Sequence, residues 1–252
     1  MIIRKLVLLI FLFPVIALAE TTSTLTIYAP DYFISEWGPG PKIKEAFERK
    51  CSCNLKYVSG DPLSKLMLEG KSTRADILIG LSSDQILKAR KLNLFDKINF
   101  DFSLPQLPIN WKDPTFLPFD WSYVSFIYDN TKIINPPKTF IELANDPRDY
   151  KIIIQDPRTS PSGLALILWI KSIYGDEAFD IWSKLSSKIL TVTKGWSESY
   201  GMFTSGEAEM VLSFITSQAY HEIAENDKTK TALIMNEGHY VYVELAAKVN
   251  KE

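Results

Sequence analysis

From Thr24 onward the apolar positions alternate between short continuous runs and helical spacings. Thr24 to Tyr28 reads as a strand and leads into APDYFISEWGPGP, a loop rich in aromatics, glycine and proline. Pro41 to Lys50 predicts a helix with Ile43, Ala46 and Phe47 on one face. Asn54 to Val58 is a second strand. Gly60-Asp61-Pro62 then supplies a turn, an N-cap carboxylate and a first-turn proline for a helix marked by Leu63, Leu66 and Met67. Ala75 to Ile79 predicts a buried strand, and Ser82-Ser83-Asp84 caps a further helix. This strand–helix alternation predicts an α/β fold, a parallel sheet with helices on its faces.

Asn99 to Pro114 is irregular and proline-rich. The next segment, TFLPFDWSYVSFIYD from Thr115 to Asp129, is extended and aromatic, and fits a strand crossing between two lobes. Pro136-Pro137 opens a second α/β unit: a helix over Thr139 to Asn145, a strand over Lys151 to Ile154, the loop QDPRTSPSG, and helices over Leu164 to Tyr174 and about Glu177 to Ser186. Leu190 to Thr193 and Met210 to Phe214 are further strands, each running into a helical pattern. Ligands of open α/β sheets bind at such strand ends, and here they gather Lys194, Gly195, Trp196, Phe214, Thr216 and Ser217 at one rim. Tyr240 to Ala246 is the expected return crossing. The sequence stops at VELAAKVNKE, just after it, so a first lobe built from Thr24 to Pro114 is expected to be incomplete.

Composition narrows the partners. The 252 residues carry a net charge of -2 and no long basic run, which argues against nucleic acid. Arg4 and Lys5, the apolar run Leu6 to Leu18 and the small-residue site Ala17-Leu18-Ala19 read as a secretory signal peptide cleaved after Ala19. That run is shorter than the roughly 20 residues a transmembrane helix needs. The mature chain is therefore expected in the periplasm, not inserted in a membrane. Export permits a disulfide between Cys51 and Cys53. Their single-residue spacing would strain one, and two cysteines cannot close a zinc site; they read as structural.

Three strand-to-helix loops could attract an anion through free N–H groups and the helix dipole: Gly60-Asp61, Gly80-Leu81-Ser82-Ser83, and Asp156 to Gly163. The third is the best, since Ser160 and Ser162 add hydroxyls, although plain capping explains each loop taken singly. Trp37, Trp121, Tyr123, Trp196, Phe214 and Tyr242 fall at loops, strand ends or crossings, where rings can hold a planar cation; core packing is the competing reading. No G-x-S-x-G, H-E-x-x-H or P-loop occurs, and His221 and His239 are isolated. No catalytic residue, metal site or cofactor is expected.

The stretches EWGPGP, KEAFERKCSCNLK, LEGKSTRADILIGL, PFDWSY, QDPRTS, TVTKGWSESYG, VLSFITS and EGHYVYVE run in order across nearly all of the chain. In them the sequence resembles the periplasmic thiamine-binding proteins of bacterial ABC importers, a type II periplasmic binding protein family. The resemblance implies two lobes joined by crossing strands: a signal peptide at 1–19, a first lobe at 20–118 and 237–252, and a second at 119–236. It implies thiamine or thiamine phosphates as ligand and an inner-membrane permease as partner. Carried over by motif, ligand contacts fall at Ser160 and Pro161, at Trp196, and at Phe214, Ile215, Thr216, Ser217 and Gln218. Gly60 and Asp61 match more loosely, in a shorter loop. Pro161 stands where the family often has threonine, and Phe214 where it has tyrosine. A thiamine-cleaving transferase resembling thiaminase I and a ferric-ion carrier share the fold and are the alternatives. The first would need a cysteine nucleophile beside an acid, the second a tyrosine pair and commonly a histidine at the cleft, and no clear tyrosine pair stands at the QDPRTS or TKGW loops.

Overall fold

One strand ties the molecule together. The computed structural model describes residues 23–101 and 106–251, so the expected signal peptide lies outside the described residues. Within them the elements are β1 (Thr24–Ala29), α1 (Asp31–Ile34), α2 (Gly40–Cys51), β2 (Asn54–Ser59), α3 (Pro62–Glu69), β3 (Ile77–Ser82), α4 (Ile86–Arg90), β4 (Leu117–Asp129), α5 (Phe140–Asn145), β5 (Ile152–Gln155), α6 (Pro161–Tyr174), α7 (Ala178–Leu185), β6 (Ile189–Thr193), α8 (Trp196–Thr204), β7 (Met210–Phe214), α9 (Thr216–Tyr220), β8 (Lys230–Ala232) and β9 (Val241–Lys248). Their strands follow the order β2-β1-β3-β9-β4-β7-β5-β6, with β8 also on β4. Residues Leu117 to Tyr123 of β4 pair antiparallel with β9, and Val124 to Tyr128 pair with β7. The aromatic crossing segment therefore passes from one half of the sheet to the other, and β9 runs back beside it.

Each half buries apolar residues on both faces of its strands. In the first, Leu63 and Leu66 of α3 and Ala89 of α4 pack with Leu78, Leu81, Val243 and Leu245, while Ile27, Ala29, Phe33 and Leu55 pack on the opposite face. In the second, Phe140, Leu166, Trp169, Ile170 and Ile181 from the helices cover Phe126, Ile152, Ile154 and Leu212, and Tyr200 and Phe203 of α8 cover Ile127, Ile153 and Val211 on the other side. The parallel pairs β1–β2, β1–β3, β5–β6 and β5–β7 match the α/β pattern.

Three local expectations are corrected. Gly80 to Ser83 is not a loop: β3 runs on through Ser82, with a bulge between Ile79 and Leu81 that keeps Ser82 paired with Glu244. Gly80 takes the bulge at φ +86, and a Cβ there would lie 2.6 Å from the Pro30 ring. Beyond Ser82, which caps it as the sequence leads one to expect, the chain makes a 3-10 turn, Ser83–Gln85, that runs straight into the five-residue α4, too short a helix to make an anion site. Second, the apolar stripe of α2 does not face the core. Ile43 is 42% and Phe47 39% exposed. The helix docks by its polar edge instead: Glu48 accepts from the Leu55 N–H at 2.7 Å, and the Tyr57 hydroxyl donates to the Gly40 carbonyl at 2.9 Å. Third, Cys51 and Cys53 are bridged. Ser52, in the left-handed region at φ 51, turns the chain at the end of α2 and leaves the two Cα atoms 5.2 Å apart, within the ordinary disulfide range.

Candidate functional site

Trp196 occupies the first turn of α8, just beyond the end of β6. Gly195 precedes it in extended conformation as the N-cap. The indole is fixed from its own half of the molecule: Nε1 donates to Ser213 Oγ at 2.9 Å, and the ring stacks on Tyr200 with centroids 4.5 Å apart and planes at 19°. From the other half come Tyr32, edge-on at 6.5 Å, and Trp37, tilted at 5.7 Å. Trp37 is 53% exposed. Rings from both halves thus converge on one half-buried indole.

The end of β7 forms the adjoining wall. Ser213 shares a hydrogen bond with Ser217 at 2.9 Å. Phe214 packs on Tyr242 of β9 with centroids 5.1 Å apart. The Ile215 N–H donates to the Tyr123 carbonyl, and Thr216 Oγ1 lies 3.2 Å from Ser122 Oγ on β4. Gln218 points elsewhere: its Oε1 accepts from the Ala232 N–H of β8, and its Nε2 donates to Glu222. Its amide is committed to holding β8, which the motif alone does not reveal.

Ser160 is the N-cap residue of α6, Pro161 opens the helix, and Ser160 is only 6% exposed. A chain of hydrogen bonds connects it to Trp196. Ser160 Oγ meets Ser162 Oγ at 2.9 Å, Ser162 donates to Gln155 Oε1 at 2.9 Å, Gln155 Nε2 donates to Ser199 Oγ at 2.5 Å, and Ser199 donates to the Trp196 carbonyl at 2.8 Å. The single proton of Ser162 goes to Gln155, so Ser160 must be the donor in the serine pair. Thr159 adds a second tie, from its hydroxyl to the Lys194 carbonyl at 2.7 Å. Gly60 and Asp61 lie at the C-terminal end of edge strand β2. The Asp61 carboxylate caps α3, accepting from the Ser64 N–H at 2.7 Å, and Gly60 is exposed at φ 136. The structure brings Trp196, Phe214, Thr216 and Ser217 together and links Ser160 to them, while Asp61 is engaged in its own helix.

A second group was not anticipated from sequence. Glu244 on β9 stands directly opposite Ser82 on β3 and Asp120 on β4, and directly paired residues share a sheet face. Glu244 is 8% exposed, and Oε1 accepts from the Tyr32 hydroxyl at 2.5 Å. Burial pushes its carboxyl up to about 7; the hydrogen bond from Tyr32 opposes that rise and the Asp120 charge adds to it. Burial holds the Tyr32 and Tyr242 phenols well above their ordinary range. Desolvation also raises the half-buried Asp84 and raises Asp120, although the Asp120 side chain is exposed and accepts from the Trp121 N–H at 2.6 Å. Ser82 caps the turn that follows it in a capping box with Gln85, and its hydroxyl lies beside the Asp84 carboxylate. The readable signal was a charged residue within an apolar strand run, Glu244 in VYVELA and Asp120 in LPFDWSY. Among the described residues no group of three His, Cys, Asp or Glu is placed to hold a metal ion.

A family model described as bacterial extracellular solute-binding protein matches residues 72–251. A thiamine-binding periplasmic protein of Brucella suis is 47% identical, the match covering 97% of this chain and 76% of that protein. A thiamine-binding periplasmic protein of Escherichia coli K12 is 44% identical over 89% of this chain and 70% of its own length. A solved periplasmic thiamin binding protein superposes with a TM-score of 0.89 at 43% identity, covering 93% of this chain and 75% of that one.

Proposed function

We propose that this chain, which belongs to the bacterial extracellular solute-binding protein family, captures thiamine or its phosphates outside the cytoplasm and delivers them to a membrane permease. One observation carries the reading. The Trp196 indole is met by Tyr200 from its own half and by Tyr32 and Trp37 from the other. Thiamine joins a permanently cationic thiazolium to a flat pyrimidine, and an aromatic slot between two moving parts offers it stacking and cation–π attraction. Relatives and a solved neighbour named for thiamine binding support the ligand class.

In this reading residues 20–118 and 237–252 form one lobe and residues 119–236 the other, swinging about β4 and β9. The lobes close over the ligand, and the closed form is what the permease recognises. Trp196 and Phe214 supply apolar faces. Ile215, Thr216, Ser217 and Gln218 shape the wall, Ser160 and Pro161 at the start of α6 take the phosphate end, and Gly60 and Asp61 border the rim at β2. Residues 1–19 act as a cleaved export signal to the periplasm. No helix among the described residues is long and apolar enough to cross a membrane.

Cleavage chemistry is disfavoured, because both cysteines are tied in the bridge at the end of α2 and a thiol nucleophile must sit with its base at the substrate. Ferric-ion capture is disfavoured because both histidines are engaged in the second half: His221 with Tyr200 and Glu225, His239 with the Val124 carbonyl and the Met235 N–H. Calorimetry of the mature chain with thiamine, its monophosphate and its diphosphate tests the proposal. Saturable one-to-one binding is expected. Heats no larger than those of dilution would overturn it, and turnover of thiamine in the presence of nucleophiles would replace it with the enzyme reading.

A further inference from the structure

Resting on the thiamine reading, we infer that His221 is a positioning residue for the ligand: through Tyr200 it sets the plane of the Trp196 indole. Three rings lie in a near-parallel row. Trp196 stacks on Tyr200 with planes at 19°, and Tyr200 lies 15° from the plane of His221 with centroids 5.7 Å apart. Trp196 and Tyr200 are one turn apart on α8, where residues four apart share a helix face. Tyr200 covers one face of the indole, so the opposite face and the edges are what Tyr32, Trp37 and a ligand can meet. The tilt of that surface follows the tilt of the phenol behind it.

The phenol is held at its far end. Its hydroxyl lies 2.8 Å from His221 Nε2, and His221 Nδ1 lies 2.5 Å from Glu225 Oε2. A carboxylate only accepts, so in the neutral imidazole Nδ1 carries the proton, Nε2 keeps its lone pair, and the Tyr200 hydroxyl donates to it. Burial pushes the Tyr200 phenol above its ordinary range, which keeps the proton it donates. The backbone is shaped around this contact. His221 is buried at the start of a π turn, His221–Glu225, that ends at Asn226 in the left-handed region at φ 52. Such wide turns are rare and are frequent at functional sites. This one continues directly from α9, whose Ser217 is bonded to the same Ser213 that holds the indole N–H. Glu225, which directs the imidazole, keeps its own side chain half exposed and so does not fill the core. An apolar side chain could occupy the space of His221; what the imidazole adds is the acceptor for Tyr200.

The test is calorimetry of thiamine on the full mature chain, with each variant made both in wild type and in a Trp196→Ala background. H221L removes the acceptor and should weaken thiamine by about threefold to tenfold, a part of the up to about thirtyfold carried by the indole itself. Y200F keeps the stacked ring, loses only the hydroxyl and should match H221L. The double variant H221L/Y200F should be no weaker than either alone, because both remove the same bond. H221Q offers the phenol an amide acceptor and should recover part of the loss. With Trp196 already replaced by alanine, H221L should change affinity by less than about twofold, since nothing is left for it to orient. A histidine with a purely structural role would cost the same in both backgrounds. Should H221L fail to fold, Y200F and E225A give the reading, E225A at a half-exposed position with a loss of about twofold to threefold. Wild-type affinity in Y200F or in folded H221L, or an equal loss with and without Trp196, would overturn the inference alone. A wild type that binds no thiamine would overturn the thiamine reading and this inference with it.

Discussion

The Tyr32 hydroxyl donates to Glu244 Oε1 at 2.5 Å, across 212 positions of sequence. The contact joins α1, at the rim, to the middle of the return strand β9. It gives the buried Glu244 one donor, while burial and the Asp120 charge favour the protonated carboxyl. The carboxyl accordingly resists ionisation, and this has a measurable sign.

Glu244 titrates near 7 in the folded chain against 4.5 without the fold. Between those values the native state binds more protons than the unfolded state, so stability falls as pH rises. The contribution is fully present below about pH 4.5 and is lost as pH climbs through 7. A shift of this size corresponds to about 3 kcal/mol. Asp84 and Asp120, also raised by burial, act with the same sign. Asp146, lowered mainly by Arg148, acts with the opposite sign, but its contribution is lost only below about pH 4. Urea unfolding at pH 5 and pH 8 should show wild type less stable at the higher pH, with a smaller difference in E244Q. An equal difference in both proteins would assign the effect to other groups.

Ser160→Ala should weaken thiamine phosphates more than thiamine. A hydrogen bond to a charged group contributes roughly 1.5–3 kcal/mol. To donate to a phosphate, however, Ser160 must give up its bond to Ser162. The net loss should therefore be about 1–2 kcal/mol, or roughly fivefold to thirtyfold in affinity. Calorimetry of the variant with thiamine and thiamine monophosphate measures it. Equal weakening of both ligands would remove Ser160 from the phosphate end.

Ile43 and Phe47 stand one turn apart on α2 and are both more than a third exposed. Leu25, Ile77 and Ile79 are only partly buried in the same half. This is more apolar surface than isolated residues present, and such patches promote association. The mature chain should self-associate at high concentration. I43E/F47E should reduce this at little cost in stability, because α2 docks through Glu48, Lys44 and Gly40. Analytical ultracentrifugation decides it, and a wild type monomeric at all concentrations would refute the expectation.

The crossing strands were legible because their composition is unusual: thirteen residues of β4 carry aromatics where an ordinary buried strand carries aliphatics. Trp196 was legible because a glycine and a helical pattern follow a short apolar run. The Tyr32–Glu244 contact was not, since nothing local couples two residues so distant in sequence. The bulge at Gly80 was hidden as well. A glycine and two serines within four residues have the composition of a loop, and only pairing of Leu81 and Ser82 with β9 extends the strand through them. The α2 stripe misled because helical periodicity reports which face is apolar, not what covers it. Asp61 illustrates the converse: its sequence position fits both a cap and a ligand contact, and the structure commits it to the cap.

Trp196→Ala tests the centre of the proposed site. The indole is half-buried, held by Ser213 and Tyr200, and faces Tyr32 and Trp37 across the halves. Removing it leaves Ser213 still bonded to Ser217, so no buried hydroxyl is orphaned and the fold should persist. The lost stacking and cation–π attraction contribute about 0.5–2 kcal/mol, more when desolvated, and thiamine affinity should fall by up to about thirtyfold. Trp196→Phe retains a π face without the bond to Ser213 and should recover part of the loss. Thiamine should also change tryptophan fluorescence in wild type, and less in the alanine variant. Wild-type affinity in Trp196→Ala would mean that the ring only closes one half against the other, and the ligand would have to be sought nearer the carboxylates of β9 and β4.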